Sequence, residues 1–286
     1  MPSAAGIVLA GGRSSRMGTP KAALEWHGST LLRRTVGILS RATGGPVVVV
    51  RAPGQALPAL PPQTEVVDDP REGKGPVQGL AAGLAALAER ADVAFVSSTD
   101  LPFLHPAFVR RVLRAVADGA DVGLPVARGY PQPLAAAYRT TLAALAGRLV
   151  AQGRLRPAFL FDECEVARLD EAALRADPVV AALDPGLESV VNVNDPAGYA
   201  AARARPAPEV TIQLFGPMAG AAGRAQASRG PRAARAATVA GAAAAAGIEL
   251  AGHVVAAVNG DQITRDGETP LATGDTVFFL AADAGG

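Results

Sequence analysis

Short apolar runs and amphipathic stretches alternate over the first two-thirds of the chain. Gly6-Ile7-Val8-Leu9 is an apolar run that opens into glycines. Ser29 then stands as the N-cap of a helix with Leu31, Leu32, Val36 and Leu39 along one side. Val47–Val50 is a continuous β-branched run, the pattern of a strand covered on both faces. Leu80, Leu84 and Leu87 share a helical face, and Val93–Val96 is a second buried strand ending in the polar tip Ser97-Ser98-Thr99-Asp100. Phe108, Val109, Val112, Leu113 and Val116 repeat at helical spacing before a strand over Val122–Val126. Such alternation predicts an α/β domain with a mostly parallel sheet, in which ligands bind at the carboxyl ends of the strands. The loop after Leu9 and the tip at Asp100 both fall at that edge.

The rhythm changes after the tract Ala200–Pro208, which is low in complexity, ends in Pro206 and Pro208, and reads as a semi-rigid linker. Val210–Leu214 alternates at period two until Phe215-Gly216-Pro217 breaks it. Val254–Val258 and Thr276–Leu280 are further strands, with turn clusters at Asn259-Gly260-Asp261 and Gly274-Asp275, and Thr238–Ala246 supplies a helix. The expected division is a first domain over 1–204, a linker over 205–208 and a small α+β domain over 209–286.

Composition narrows the function classes. A net charge of +1 gives no electrostatic case for a nucleic-acid partner. The single cysteine, Cys164, excludes an intramolecular disulfide framework and a Cys-based zinc site. His27, His105 and His253 lack metal-ligand spacing and read as surface or structural residues. No apolar run approaches the ~20 residues of a membrane span, and no leader pattern precedes the first strand; the expectation is a cytoplasmic protein without a membrane partner. Lysine occurs only at 21 and 74 against many arginines, which draws attention to Lys21 inside a glycine-rich loop.

That loop is Leu9-Ala10-Gly11-Gly12-Arg13-Ser14-Ser15-Arg16-Met17-Gly18-Thr19-Pro20-Lys21. Adjacent glycines after a strand let backbone N–H groups approach a ligand, and Arg13, Arg16 and Lys21 add positive charge where phosphates would lie. A glycine-rich surface turn with solvated arginines fits the same residues. Walker A is excluded because Lys21 is followed by Ala22, with no hydroxyl for a metal ion, and the dinucleotide fingerprint is excluded because Gly11 and Gly12 adjoin.

The run from Leu9 to Leu24 resembles the signature of the molybdenum cofactor guanylyltransferases, the MobA-like nucleotidyltransferases, at Leu9, Ala10, Gly11, Gly12, Ser14, Arg16, Met17, Gly18, Lys21 and Leu24. It departs at Thr19-Pro20, where those enzymes often carry an acidic residue. The resemblance implies a Rossmann-like nucleotidyltransferase domain in which Leu9, Ala10, Gly11, Gly12 and Lys21 hold GTP and Arg16 and Lys21 act in catalysis. Thr99-Asp100-Leu101-Pro102-Phe103 resembles the family's Cys-Asp-x-Pro-Phe element, which makes Asp100 a catalytic and nucleotide-binding residue as the ligand of Mg²⁺, a hard cation suited to carboxylate oxygen. Asp68-Asp69 before Gly75-Pro76-Val77-Gln78-Gly79 is similar to the nucleoside-contacting segment, with Asp69 favoured as the contact and Gln78 standing in place of alanine. Read as residues alone, the paired carboxylates also suit a solvated turn. Gln132-Pro133-Leu134 and Tyr138 resemble the acceptor-side strand. Asn192 and Asn194, at i and i+2 on an extended segment, share a face and are the implied contacts of the acceptor, molybdopterin; Asn194-Asp195-Pro196 equally suits a helix-capping turn.

The C-terminal motifs Leu214-Phe215-Gly216, Val258-Asn259-Gly260, Gly274-Asp275-Thr276-Val277 and the terminal Gly285-Gly286 resemble the ubiquitin-like sulfur carriers of the MoaD and ThiS type. That resemblance implies a β-grasp domain whose Gly286 carboxylate is adenylated by an activating enzyme, becomes a thiocarboxylate, and serves the large subunit of molybdopterin synthase. Together the two resemblances imply transfer of GMP from GTP to molybdopterin with release of pyrophosphate, and a fused sulfur carrier for the same cofactor. The alternatives are a CTP- or sugar-phosphate-using enzyme of the same fold, and a carrier whose transferase domain is an inactive scaffold.

Overall fold

The structure is a computed structural model that describes residues 2–11, 20–70, 75–215 and 230–281. The chain divides into two compact units, one of residues 1–24 and 30–199, the other of residues 25–29 and 200–286.

In the first unit the main sheet has eight strands; Tyr130–Pro131 pairs antiparallel with one of them off the path, and the other seven are β1 (Ala4–Leu9), β2 (Val47–Arg51), β3 (Glu65–Asp68), β4 (Val93–Ser98), β5 (Val122–Ala127), β6 (Ala135–Arg139) and β7 (Val166–Leu169). Their order is β7-β5-β6-β4-β1-β2-β3. All neighbouring pairs are parallel except those of β6, which runs antiparallel to both β4 and β5. The order reverses beside β1, with β2 and β3 on one side and β4 on the other. A topological switch point therefore lies between β1 and β4. Their register sets Leu9 opposite Ser98.

Side-chain alternation sends the strands' residues to two helical layers. Ile7, Val50, Val96 and Tyr138 face a core closed by helices α2 (Pro76–Leu87) and α4 (Ala143–Ala151), including Leu80, Leu84, Leu87 and Leu149. On the opposite face lie α1 (Leu31–Thr43) and α3 (Pro106–Ala117), where Phe95 of β4 meets Phe108 of α3 edge to face. α2 lies unusually close to the sheet. A Cβ at Gly83 would stand 2.7 Å from Ile7 Cγ2, and one at Gly79 3.2 Å from Leu9 Cδ2.

The N-cap of α1 is Thr30, not Ser29: Thr30 Oγ1 accepts the Arg33 N–H at 3.2 Å. The Ser29 hydroxyl donates instead to Glu268 within the second unit, at 3.1 Å. Ala200–Arg203, expected as linker, continues a helix over Pro196–Arg203, as its alanines and arginines favour. Among the described residues, no helix is long and apolar enough to cross a membrane.

The second unit contains β8 (Glu209–Leu214), β9 (Arg232–Arg235), α5 (Val239–Ala246), β10 (Val254–Val258), β11 (Gln262–Thr264) and β12 (Thr276–Ala281). The sheet order is β9-β8-β12-β10-β11, with β8 and β12 parallel and the other pairs antiparallel. α5 is capped by Thr238, whose Oγ1 accepts the Gly241 N–H, and stopped by Gly247 at φ 73°. Its Val239, Ala242 and Ala243 pack against Val210, Ile212, Val277 and Phe279. β9 falls inside the Arg/Ala-rich tract that carries no recognisable strand pattern. The Asn259 and Asp275 turns hold each other: Asn259 Nδ2 donates to Asp275 Oδ1 and Asn259 Oδ1 accepts the Thr276 N–H, both at 2.9 Å. Gly285 and Gly286 lie outside the described residues.

Candidate functional site

At the carboxyl edge, β1 ends at Leu9 and β4 at Ser98, side by side in register. Two residues beyond Ser98, the Asp100 carboxylate meets side chains from distant parts of the chain. Lys21 Nζ donates to Asp100 Oδ2 at 2.9 Å and to Asn194 Oδ1 at 2.9 Å. Asn192 Nδ2 donates to Asp100 Oδ1 at 3.2 Å, and Ser98 Oγ donates to the same oxygen. The segment bearing the asparagines is fastened in the middle, where the Val193 N–H donates to the Asp100 carbonyl at 2.9 Å. An extended strap so fastened turns residues 192 and 194 to one face.

Lys21 and Asp100 expose only 19% and 16% of their side chains. Water is largely excluded, so charge at this point acts more strongly than at an open surface. The turn after Asp100 is supported from below by Arg34, itself buried, whose Nε donates to the Pro102 carbonyl at 2.8 Å. His105 caps α3 through Nδ1, which accepts the Ala107 N–H, while its own N–H donates to buried Ser189 Oγ. Asp184 accepts the Glu188 and Ser189 N–H groups at the start of the strap. Burial pushes the Asp184 carboxyl up, against the hydrogen bonds and His105, which pull it down.

On the other side of the switch point, the two adjacent aspartates differ. Asp68 pairs with Arg51 Nε at 2.7 Å and is half exposed. Asp69 accepts from the amide of Gln78, which is 4% exposed in the first turn of α2. The N-cap of that helix is Gly75, whose φ of 79° favours glycine. Leu9, Ala10 and Gly11 lead out of β1, and Ala10 and Gly11 N–H groups both donate to the Val50 carbonyl, at 2.8 and 3.3 Å. Gly12 and Arg16 lie outside the described residues.

Two expected acceptor-side groups are occupied internally. Tyr138 is 1% exposed in the core, its hydroxyl donates to the Pro133 carbonyl at 2.8 Å, and burial pushes its phenol up. Gln132 Nε2 donates to the Ala127 carbonyl at 3.1 Å and shapes the turn before β6. Asp195 accepts the Gly198 N–H at 2.7 Å, so the capping role of Asn-Asp-Pro coexists with the inward face of Asn192 and Asn194. Sequence patterns missed Ser98 as a partner of Asp100 and Gln78 as a holder of Asp69. The signal was present in both: a hydroxyl two residues before a strand-end carboxylate, and an amide at a buried helix position.

A family model described as the MobA-like NTP transferase domain matches residues 6–172. A Mycobacterium tuberculosis protein named "Probable molybdenum cofactor guanylyltransferase" is 41% identical over 169 residues, 58% of this chain and 82% of that one. Its namesake in Mycobacterium avium is 39% identical over 169 residues, 58% of this chain and 84% of the relative. Among solved structures, molybdopterin-guanine dinucleotide biosynthesis protein A from Archaeoglobus fulgidus aligns with a TM-score of 0.54 at 22% identity. That alignment covers 70% of this chain and 96% of the other.

Proposed function

The chain belongs to the MobA-like NTP transferase family and is a nucleotidyltransferase, and from this premise we propose that it transfers GMP from GTP to molybdopterin, releasing pyrophosphate. The observation that carries the reading is the cluster of Lys21, Asp100, Asn192 and Asn194 at the switch point. The relatives' names support the nucleotide and the acceptor.

An oxygen of the acceptor phosphate attacks the α-phosphorus, the bond to the β-phosphate oxygen breaks, and pyrophosphate leaves. The protein's part is positioning and charge compensation, and no covalent nucleophile is needed. Lys21 neutralises the phosphate oxygens as their charge redistributes, and Arg16 adds to it. The stretch from Leu9 to Gly12 gives the phosphates a close approach to the chain, and Asp69, steadied by Gln78, holds the nucleoside. Asn192 and Asn194 orient the acceptor phosphate towards the Lys21 ammonium.

The donor set also suits a divalent cation. Mg²⁺ takes one or two carboxylates and completes its shell with phosphate and water oxygens. Asp100, with the amide oxygen of Asn194 beside it, would hold that ion. When bound, it offsets phosphate charge.

The second unit supports a β-grasp reading through its sheet order, the packing of α5 against the sheet, and the clamp between Asn259 and Asp275 that joins the two motif turns. In that reading Gly285-Gly286 is a sulfur-carrying tail that an adenylating enzyme activates for molybdopterin synthase. Intact-mass analysis after incubation with such an enzyme and a sulfur donor is expected to show one oxygen exchanged for one sulfur at Gly286. An unchanged mass overturns the carrier role. For the transferase, pyrophosphate release from GTP, CTP, ATP and UTP with molybdopterin as acceptor is the test. Preference for GTP is expected, and preference for CTP overturns the guanylyl assignment.

A further inference from the structure

β2 leaves the sheet at Arg51 and turns at once over Ala52-Pro53-Gly54-Gln55. The Gln55 N–H donates to the Ala52 carbonyl at 3.0 Å, and Gly54 has φ 71°. Proline followed by a positive-φ glycine is the signature of a type II turn. The turn fixes the backbone of Gln55, and the side chain then folds back. Its Nε2 donates to the Ala10 carbonyl and its Oε1 accepts the Ala52 N–H, both at 3.0 Å.

The Ala10 carbonyl is the last before the glycine pair. A Cβ on Gly11 would stand 3.2 Å from the same Ala52 nitrogen, so the Ala10-Gly11 backbone and the turn after Arg51 converge at that amide. Arg51 extends the connection towards the nucleoside side. Its carbonyl accepts the Asp69 N–H at 2.7 Å, its Nε pairs with Asp68, and its Nη1 donates to the Gln55 carbonyl at 3.1 Å. A single turn thus joins the start of the phosphate loop to the backbone of Asp69.

We propose that Gln55 is a positioning residue for nucleotide binding, whose carboxamide sets the Ala10-Gly11 backbone at a fixed distance from Asp69. The inference rests on the nucleotide-binding reading of the loop from Gly11 to Lys21. The task calls for one donor and one acceptor on the same group, which the carboxamide supplies. Glutamate keeps the acceptor for Ala52 but loses the donor and sets a negative charge against the Ala10 carbonyl. Methionine of similar length loses both.

Calorimetric titration of MgGTP into the full chain, as wild type, Gln55→Glu and Gln55→Met, tests the role at pH 8 and pH 5.5. At pH 8 the Kd is expected to rise about tenfold in each variant, with thermal midpoints within about 3 °C of wild type. At pH 5.5 the carboxyl introduced by Gln55→Glu, raised by the facing carbonyl, regains a proton and with it a donor. Its Kd relative to wild type at the same pH then falls towards one, while that of Gln55→Met stays high. Kd values within twofold of wild type in both variants overturn the proposal, and so does a Gln55→Glu defect that ignores pH. Lowered midpoints with unchanged Kd overturn it in favour of a purely structural clamp. Absence of binding by the wild-type chain overturns the nucleotide reading itself, and the positioning role with it.

Discussion

Lys21 and Asp100 stand 79 residues apart in the chain and 2.9 Å apart at the carboxyl edge of the sheet. The pair is mostly screened from water, and each partner has a second contact, Lys21 with Asn194 and Asp100 with Asn192. Lys21 is thus held beside the carboxylate, where the phosphates of the proposed nucleotide would compete for it.

Removing either member of this pair is expected to abolish most of the activity. Lys21→Ala and Asp100→Asn each lower kcat/KM for pyrophosphate release by about 100-fold or more. The double variant falls well short of the product of the two losses, because the groups act as a unit. Adding a chelator to the wild-type chain is expected to stop turnover and excess Mg²⁺ to restore it. Full activity in chelator removes the metal role of Asp100.

Gln78 gives a gentler test of the nucleoside side. Gln78→Ala leaves Asp69 without its buried amide partner, and the KM for nucleotide is expected to rise about fivefold with kcat retained. A fall in kcat at constant KM contradicts the assignment.

The start of α1 distinguishes two adjacent hydroxyls. Thr30→Ala removes the cap on the Arg33 N–H and is expected to lower unfolding stability by about 1 kcal/mol in a urea titration. Ser29→Ala leaves the helix cap intact. A larger effect from Ser29→Ala in the transition of residues 30–199 would contradict the capping geometry.

Cys164 is half-buried, and burial together with the Asp121 charge pushes its thiol up to about 11. At pH 8 it is almost wholly protonated. Alkylation by iodoacetamide, followed by mass spectrometry, is expected to run about 100-fold slower than for a free thiol of pKa 9. The rate is expected to keep climbing as the pH passes 9 and 10.

The central elements were legible because their residues leave little choice. Val47–Val50 and Val93–Val96 are apolar on both faces, and a strand buried on both faces needs that pattern. Asp100 stood out as a carboxylate at the tip of such a strand. Less legible elements have weaker signals. β6 reads Ala-Ala-Ala-Tyr-Arg, residues that suit a helix equally, and only pairing with β4 and β5 makes it a strand. β3 and β9 are four residues long with alternate residues exposed, and the arginines of β9 mask its period. The Ser29 cap was misplaced by one residue because both neighbours carry a hydroxyl. Partnership between Lys21 and Asn194 is a property of packing between segments 173 residues apart, which spacing along the chain does not encode.

In the proposed reaction, the reversed direction of β6 sets the acceptor side apart from the nucleotide side. Because it runs against its neighbours, Ala135 lies at the level of Ser97, and the turn from Arg128 to Leu134 emerges at the same edge as Asp100. The proposed nucleotide contacts follow β1 and β3, whereas this turn joins β5 and β6. Under the proposed function, lengthening or recasting the turn alters the acceptor side without touching β1 or β3. A protein built this way can exchange the molecule it modifies while keeping the nucleotide that modifies it.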